Sequence, residues 1–324
     1  MSSPGSEPRH AIVEQAMGDA VLHKALLDQL ETGIYIVDRD RRILYWNSGA
    51  ERISGYMAHE VSGHFCHGDL LMHCDHEGEG LCGKRCPLSA VMHDGKPREC
   101  TIFMRHRQGH RVPVHVRSRA IYDSEGAAIG AVEIFEEAVA PARGGLRALQ
   151  AFGCLDPATG AARRKYGEMR VRQSLEALDL FEIPFGWLRI GLDGADELEH
   201  RGGHGIVDAA LKLIAATLDR NIGSFDVLTR WTGTEFRIEV NHCSRLELAD
   251  LAEKLLTLVR ASSLEWWGDR LRVSISIAAT NAEHGEGLDQ LEERVGAVFE
   301  SVRASGGDRF AIAHAPRSED QCSL

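Results

Sequence analysis

The chain has 324 residues and a formal net charge of −11, and its lysines and arginines are dispersed rather than clustered. This charge excludes a nucleic-acid groove, which needs concentrated positive charge to displace counterions. Hydrophobic residues make up 44% of the chain, yet no apolar run approaches the roughly 18 residues that cross a bilayer, and Met1–His10 contains no signal-peptide core. We therefore expect about two globular domains in the cytoplasm, without membrane contact and without structural disulfides.

The first predicted elements are a helix and a β-hairpin. Residues 1–18 are expected to form a disordered lead-in. Over Asp19–Leu30, apolar side chains recur at helical spacing, which predicts a helix. Two apolar runs, Ile34–Val37 and Ile43–Trp46, then flank a polar turn. This pattern predicts two antiparallel strands joined by the turn.

The residues that follow the hairpin carry a family resemblance. They are Asn47, Gly55, Tyr56, Glu60 and Gly63. Three further strands with Gly-rich turns are predicted over 109–135. This order resembles the two ends of a PAS domain, over residues 26–137. The resemblance implies a twisted antiparallel sheet, helices on one face and a small-molecule pocket between them. Residues 19–137 are accordingly predicted to form a PAS sensor domain.

The segment 64–92 is a cysteine-rich insert in this predicted domain. Four cysteines with interleaved histidines lie within it: Cys66, Cys74, Cys82 and Cys86. Thiolates at short spacing suit zinc or an iron–sulfur cluster, so these four residues are candidate metal ligands of the sensor. A redox-sensing thiol pair is one alternative, and simple packing of buried cysteines is another. Haem ligation by one of the histidines stays open as well.

A shift in composition to Ala, Gly, Pro and Arg predicts a linker at residues 138–154. Pro141 and the Gly144-Gly145 pair interrupt any continuous coiled coil. We therefore expect at most a short helix in this stretch, at Leu146–Phe152.

The stretch Thr229–Phe236 carries the clearest motif of the second half. It reads Thr-Arg-Trp-Thr-Gly-Thr-Glu-Phe between two apolar runs, which predicts two strands joined by a tight turn. The motif resembles the signature hairpin of the GGDEF family, the diguanylate cyclases. The runs Leu155–Arg164 and Gly306–Phe310 resemble the opening and the close of the same domain. Residues 155–316 are therefore predicted to form a degenerate GGDEF domain, followed by a tail at 317–324.

Predicted helices and strands alternate along this second domain. Helices are predicted at 165–180, 204–221, 244–262 and 288–304, and strands at 185–192 and 271–278. The family resemblance implies an α/β domain in which helices flank a central, mostly antiparallel sheet. With an α+β PAS domain in front of it, the fold class of the chain is predicted to be α/β.

The resemblance also implies a chemistry, the joining of two GTP molecules into cyclic di-GMP with the help of two metal ions. The family's metal carboxylates are an Asp at the end of the first strand and the acidic third letter of the signature. Here Gly191 and Thr234 occupy those positions, and a neutral hydroxyl is a poor ligand for a hard cation. The phosphate-binding lysine of the family falls at Asp196, and a guanine-contacting asparagine falls at Glu199.

Some candidate nucleotide-binding residues nevertheless remain. They are Asp193, Asp208, Arg230, Gly233 and Glu235. No catalytic residue is assigned, and Glu235 is the residual fourth letter of the signature. The regulatory product site of the family, an Arg-x-x-Asp, is also incomplete, because Gly223 stands where the arginine should be although Asp226 is present.

We therefore expect a cytoplasmic signal-transduction protein in which a PAS sensor is coupled to a GGDEF-like domain that does not synthesise cyclic di-GMP. One alternative is an active cyclase in which Asp193, Glu235 and Asp208 rebuild a metal site. Another is an adaptor that binds no nucleotide. Zinc or an iron–sulfur cluster is the expected sensor cofactor, and Mg²⁺ and GTP are expected only if the second domain still binds nucleotide. The resemblance further implies a homodimer and a protein partner in cyclic di-GMP signalling, with GTP or cyclic di-GMP as candidate ligands.

Overall fold

The computed structural model describes residues 20–83, 85–138 and 153–313. The described chain divides into two compact units. The first unit contains residues 20–73, 80–107 and 114–138, and the second contains 74–79, 108–113 and 153–313. The predicted lead-in, the predicted tail and the short helix predicted at 146–152 lie outside the described residues.

The first part of the chain, up to residue 138, alternates short helices with five strands. They are α1 (Ala20–Asp28), β1 (Gly33–Asp38), β2 (Ile43–Trp46), α2 (Ser48–Ser54), α3 (Ala58–Val61), α4 (Pro87–Asp94), β3 (Arg98–Arg105), β4 (Arg111–Tyr122) and β5 (Ala128–Glu137). The predicted first helix and hairpin are confirmed. The stretch 109–135 holds two strands rather than the predicted three, because residues 115–120 stay paired with β5 and make β4 one long strand.

The five strands form one sheet in the order β2-β1-β5-β4-β3. Strand β1 pairs antiparallel with both β2 and β5, so that Tyr35 lies opposite Trp46 on one side and Glu133 on the other. The rings of Tyr35, Trp46 and Phe135 pack against one another with centroids 5.3 to 6.2 Å apart. These buried rings form the centre of the core of the first unit.

Asn47 fixes the chain where the hairpin turns into α2. Its Oδ1 accepts hydrogen bonds from the amides of Ile34 and Ala50, both at 2.8 Å, and thereby caps the N-terminus of α2. Its Nδ2 donates to the carbonyls of Leu27 and Thr32. One fully buried side chain therefore joins α1, β1 and α2, which explains why this position carries an asparagine.

The second unit has longer helices and a larger sheet. Its elements are β6 (Ala162–Arg163), α5 (Arg164–Phe181), β7 (Phe185–Leu192), α6 (Ala195–Gly202), α7 (His204–Asp219), β8 (Val227–Thr232), β9 (Glu235–Asn241), α8 (Arg245–Ala261), β10 (Leu264–Trp266), β11 (Asp269–Leu271), β12 (Ile275–Asn281), α9 (Leu288–Ala304) and β13 (Phe310–Ile312). Six strands form a mixed sheet in the order β13-β12-β7-β9-β8-β6, in which the central pairings are antiparallel and the two outermost are parallel.

Helices cover both faces of this sheet. Apolar side chains of α7 and α8 pack on one face, and those of α5 and α9 pack on the other. This sandwich confirms the predicted α/β class and the mostly antiparallel centre of the sheet. The strand predicted at 271–278 is instead divided, since Leu271 ends β11, which pairs with β10, and residues 275–278 begin β12, which pairs with β7. Within the described residues, no helix is long and apolar enough to cross a membrane.

Candidate functional site

The signature hairpin lies at one end of the central sheet. The turn Gly233-Thr234 joins β8 to β9. The end of β7 lies beside this turn, since Gly191 pairs with Glu235 and the amide of Leu192 donates to the carbonyl of Thr234 at 3.1 Å. The structure therefore brings together the residual Glu235 and the two positions at which the family resemblance implies metal carboxylates.

The first of these positions, Gly191, is covered by an aromatic ring. A Cβ at Gly191 would lie 2.6 Å from Cζ of Phe299, closer than non-bonded carbon atoms approach. Phe299 comes from α9 and is fully buried. The space that a side chain would need at Gly191 is therefore already filled.

Glu235 is held by two arginines. Arg189, which lies two residues before Gly191 on β7, donates to both carboxylate oxygens of Glu235 at 2.9 and 3.1 Å. Arg237 donates to Oε2 at 3.1 Å. Burial would raise the pKa of Glu235, but the hydrogen bond and charge of Arg189, with those of Arg237, hold that pKa below its usual value. Glu235 is therefore ionised at neutral pH, and its charge is compensated by protein cations.

Arg237 extends this contact into a partly buried ion-pair network. Its side chain is 3% exposed and donates to both carboxylate oxygens of Glu292, at 2.9 and 2.8 Å. Glu292 also accepts the indole N–H of Trp187 at 2.7 Å. The guanidinium of Arg237 lies over the ring of Trp231 at 5.3 Å, which is within cation–π range. We call the following four residues the signature network: Arg189, Glu235, Arg237 and Glu292.

Arg189 and Arg237 were not among the residues predicted for this site. Both interrupt apolar strand runs, at 185–192 and 236–240. Strands covered on both faces have no place for an unpaired guanidinium, so each arginine required a carboxylate partner. That interruption was the available signal, although it does not tell which carboxylate is the partner.

Asp193 lies just beyond β7 and has structural partners of its own. Its Oδ1 accepts the hydroxyl of Ser276 at 2.6 Å, and its Oδ2 accepts the amide of Asp308 at 2.9 Å. A Cβ at Gly307 would lie 2.9 Å from the same carboxylate. Asp193 therefore ties the end of β7 to the loop before β13, and its hydrogen-bond partners differ from those of Glu235.

Arg230 connects two other predicted nucleotide-site residues. It donates a hydrogen bond to the carbonyl of Gly233, and its guanidinium lies 5.3 Å from the ring centre of Phe236. Burial lowers the pKa of Arg230, while the charges of Asp156 and the exposed Asp208 oppose that shift. Its Nη1 is buried and makes no hydrogen bond within the described part of the chain. Arg230, Gly233 and Asp208 therefore belong to one neighbourhood.

The positions where the family contacts phosphate, guanine and product carry other roles here. Asp196 and Glu199 are exposed acids on α6. The carboxylate of Asp226 accepts the amide of Gly223 at 2.7 Å and the amide of Asn241 at 3.0 Å. Asp226 therefore closes a turn next to β9.

The residues at the signature hairpin do not fit a magnesium ion. Mg²⁺ is held in proteins by carboxylate oxygens together with water and substrate phosphates. Gly191 offers no ligand and Thr234 offers a neutral hydroxyl, while Glu235 is neutralised by Arg189 and Arg237. Across residues 20–83, 85–138 and 153–313, no group of three or more His, Cys, Asp or Glu side chains is arranged to hold a metal ion.

The absence of a metal-holding group among the described residues includes the cysteines of segment 64–92. Cys66, Cys74 and Cys86 are buried and Cys82 is half-buried. The charges of Cys86 and Cys82 contribute to the raised pKa of the Cys66 thiol, whereas the charges that act on the pKa of Cys74 are those of Arg111 and Asp75. Burial raises the pKa of the Cys66, Cys74 and Cys82 thiols, and such thiols are weak nucleophiles. The predicted four-cysteine zinc or iron–sulfur site is therefore unsupported.

A buried carboxyl group lies in the same unit as Cys66. Glu133 on β5 accepts the hydroxyls of Tyr35 at 2.8 Å and of Ser118 at 2.9 Å. Glu133 is 1% exposed, and burial raises its pKa although both hydroxyls oppose the shift. Its charge also affects the Cys66 thiol. Glu133 therefore holds its proton more strongly in the folded protein than in the unfolded chain.

Replacing Glu133 with glutamine is expected to stabilise the protein increasingly as the pH rises. Because the pKa of Glu133 is raised on folding, the wild type loses stability as the pH rises above about 4.5, the ordinary glutamate value. An amide keeps both hydroxyls partnered and does not ionise. We expect Glu133→Gln to gain on the order of 1 kcal/mol over the wild type at pH 8 and little at pH 5. Urea denaturation at a series of pH values measures this difference.

The matched control for this prediction is Glu136→Gln on the same strand. Glu136 is exposed and pairs with Arg117 at 3.3 Å. Its replacement should change stability by less than about 0.5 kcal/mol at every pH. If the free energy of unfolding changes with pH in the same way for the wild type and for Glu133→Gln, the pKa of Glu133 is not raised on folding.

Comparisons with known proteins assign both halves of the chain to families. Residues 27–141 match the PAS fold, and residues 154–309 match the diguanylate cyclase, GGDEF domain. The chain is a PAS plus GGDEF signalling protein. It belongs to the diguanylate cyclase family, and both resemblances stated from the sequence are confirmed.

Two relatives that this chain matches are longer than it is. It is 25% identical over 263 residues to the probable diguanylate cyclase DgcE of Escherichia coli (strain K12). This alignment covers 78% of this chain and 22% of DgcE. It is 24% identical over 158 residues to the diguanylate cyclase DgcP of Pseudomonas aeruginosa. This alignment covers 49% of this chain and 24% of DgcP. The chain thus spans less than a quarter of the length of these two relatives.

One solved structure shows the fold of the second half. The diguanylate cyclase SiaD from Pseudomonas aeruginosa, in complex with its activator SiaC, has 23% sequence identity and a TM-score of 0.50. The alignment covers 53% of this chain and 66% of that chain. At this level of identity, the likeness establishes the fold alone.

Proposed function

We propose that this protein is a signalling protein whose GGDEF domain does not synthesise cyclic di-GMP and acts through contact with another protein. The observation that supports this proposal is the signature network. It places the guanidinium groups of Arg189 and Arg237 on the carboxylate of Glu235, where the family resemblance implies metal chemistry. A metal ion would be a third cation on a carboxylate that two guanidinium groups already neutralise, and its approach would have a large electrostatic cost.

The filled space over Gly191 supports the same proposal. Two metal ions neutralise the triphosphate in phosphoryl transfer, and loss of a single electrostatic contact of this kind typically costs about 10² to 10³ in rate. With Gly191 and Thr234 at both metal positions, the combined loss would reduce turnover below detection. The PAS domain would then control the exposure or orientation of a protein-binding surface.

The experiment is an assay of the full chain with GTP and Mg²⁺ in which cyclic di-GMP is detected by mass spectrometry. We expect no product above a protein-free control, while an active diguanylate cyclase in the same buffer provides the positive control. Any product must also disappear in a Glu235→Gln variant before it is attributed to this site. Product that depends on Glu235 would reject the proposal and favour a rearranged metal site.

The structure gives that active alternative little support. It requires Asp193, Asp208 and Glu235 to share a metal, but Asp193 is held by Ser276 and the amide of Asp308. Glu235 is held by arginine. Asp193 and Glu235 would each have to break charge-assisted hydrogen bonds before they could bind an ion.

A nucleotide receptor without turnover is a second candidate function. The buried Nη1 of Arg230 makes no hydrogen bond among the described residues, and a phosphate or guanine oxygen would satisfy it. Calorimetry with GTP and with cyclic di-GMP tests this candidate. Heat that is saturable in the wild type and lost in Arg230→Ala supports a receptor, and no heat supports an adaptor that binds no nucleotide. The homodimer and the cytoplasmic location remain predictions.

A further inference from the structure

The end of the central sheet opposite the signature hairpin carries exposed apolar side chains. Strand β7 runs from Phe185 at this end to Leu192 at the signature end, a distance of about 23 Å. Four apolar side chains near Phe185 are 70 to 81% exposed: Leu180, Phe181, Phe225 and Leu246. Single exposed apolar residues are ordinary, whereas a group of them marks an interaction site.

Backbone contacts hold these four positions at the same end of the sheet. Asn241, the last residue of β9, pairs with Phe185, and its Nδ2 donates to the carbonyl of Phe225 at 2.6 Å. Leu246 lies in the first turn of α8, which begins four residues after Asn241. Leu180 and Phe181 are the last two residues of α5, which ends four residues before β7 begins. Backbone pairing and element bounds therefore place all four residues near one end of the sheet.

This sheet end is also acidic. Two cavities of about 500 and 280 Å³ adjoin there and share Glu283. Glu283 and Glu293 line the larger cavity, are exposed and have no cationic partner within the described chain. Arg294 in the same cavity is neutralised by Glu286 at 2.6 Å, and the smaller cavity is lined by Arg245.

A third exposed acid, Glu182, follows directly after α5 and adds to the negative charge of this sheet end. We call this region the rear surface, which comprises Leu180, Phe181, Phe225, Leu246, Glu283 and Glu293.

We propose that the rear surface binds an amphipathic protein segment that carries lysine or arginine beside its apolar face. The proposal rests on the proposed output by protein contact and specifies the chemistry of the partner. A second copy of this chain is a poorer occupant, because a two-fold contact would bring the same acids towards one another. A basic amphipathic segment satisfies both the apolar and the acidic residues, as in other complexes in which a helix lies in a groove.

The test uses the full chain and a fluorescein-labelled 18-residue peptide of leucine and lysine with amphipathic helical spacing. Fluorescence polarisation should show saturable binding, and the Phe225→Ser/Leu246→Ser double variant should weaken it by roughly tenfold or more. The Glu283→Gln/Glu293→Gln variant should weaken binding by roughly threefold at low salt. This second effect should largely disappear in about 0.5 M NaCl, because salt screens exposed charges.

The matched control is Trp267→Ser, which removes another aromatic side chain, 92% exposed, from the turn between β10 and β11. It should bind the peptide as the wild type does, and a leucine–glutamate peptide should not bind. Unchanged thermal unfolding of each variant confirms that it folds.

Equal affinity of the wild type and both rear-surface variants would overturn the proposal. So would sedimentation evidence that the wild type self-associates through Phe225 and Leu246 and that the peptide does not compete. Because no nucleotide is present, this result is independent of the cyclase assay, and either proposal can fail alone.

Discussion

Arg237→Ala is expected to destabilise the second unit by about 3 kcal/mol or more. The guanidinium of Arg237 donates to Glu235 and Glu292 and is 3% exposed. Its removal leaves the Glu292 carboxylate, which is 22% exposed, without its guanidinium partner, and a partly buried charge without a counter-charge is costly. Urea denaturation followed by tryptophan fluorescence measures the loss, since four of the five tryptophans lie in the second unit.

The control for this prediction is Arg270→Ala on β11. Arg270 lies 3.9 Å from Glu265, and the two side chains are 39 and 62% exposed. Exposed ion pairs of this kind contribute about 0 to 1 kcal/mol, so this variant should unfold near the wild-type urea concentration. If Arg237→Ala costs no more than Arg270→Ala, the signature network does not stabilise the fold.

Phe299→Ala is expected to cost about 3 to 5 kcal/mol in the same assay. The ring is fully buried, covers Gly191, and lies 4.4 Å from the guanidinium of Arg189. Its removal leaves a cavity against β7 and takes away the surface on which Arg189 rests. A loss below about 1 kcal/mol would show that the ring is not packed as described.

The double variant Gly191→Ala/Phe299→Ala tests whether the ring excludes a side chain at the first metal position. Gly191→Ala alone should cost about 1 to 3 kcal/mol, because its Cβ would meet Phe299. In the double variant the added methyl group enters the vacated space, so the combined cost should be less than the sum of the two. Gly233→Ala is the matched control, since a Cβ there meets nothing within 4 Å. Additive costs would contradict the contact.

The elements of the second unit could be predicted because their apolar side chains repeat with the period of the structure that they form. The helix predicted at 288–304 is the observed α9, and the helix predicted at 244–262 differs from α8 by one residue at each end. The Ser244 hydroxyl and the Glu247 carboxylate cap α8, a local pattern that the sequence itself contains. Periodicity and caps are local, so a single sequence displays them.

The arrangement of the site could not be predicted in the same way. The contact of Phe299 with Gly191 and the ion pair of Arg237 with Glu292 join residues that are distant in sequence. Their partners depend on which strand lies beside which, and composition does not determine that. The cysteine-rich segment illustrates the same limit, since short spacing suggested a ligand set but the backbone does not gather the four thiols.

Arginine keeps its proton at every pH that a living cell reaches. The positive charge beside Glu235 is therefore part of the covalent chain, whereas a bound ion comes and goes with its supply. Chelators such as EDTA, or a swing in intracellular divalent cations, would leave the signature hairpin as rigid as before. The counter-charges of Glu235 in this hairpin are the guanidinium groups of Arg189 and Arg237.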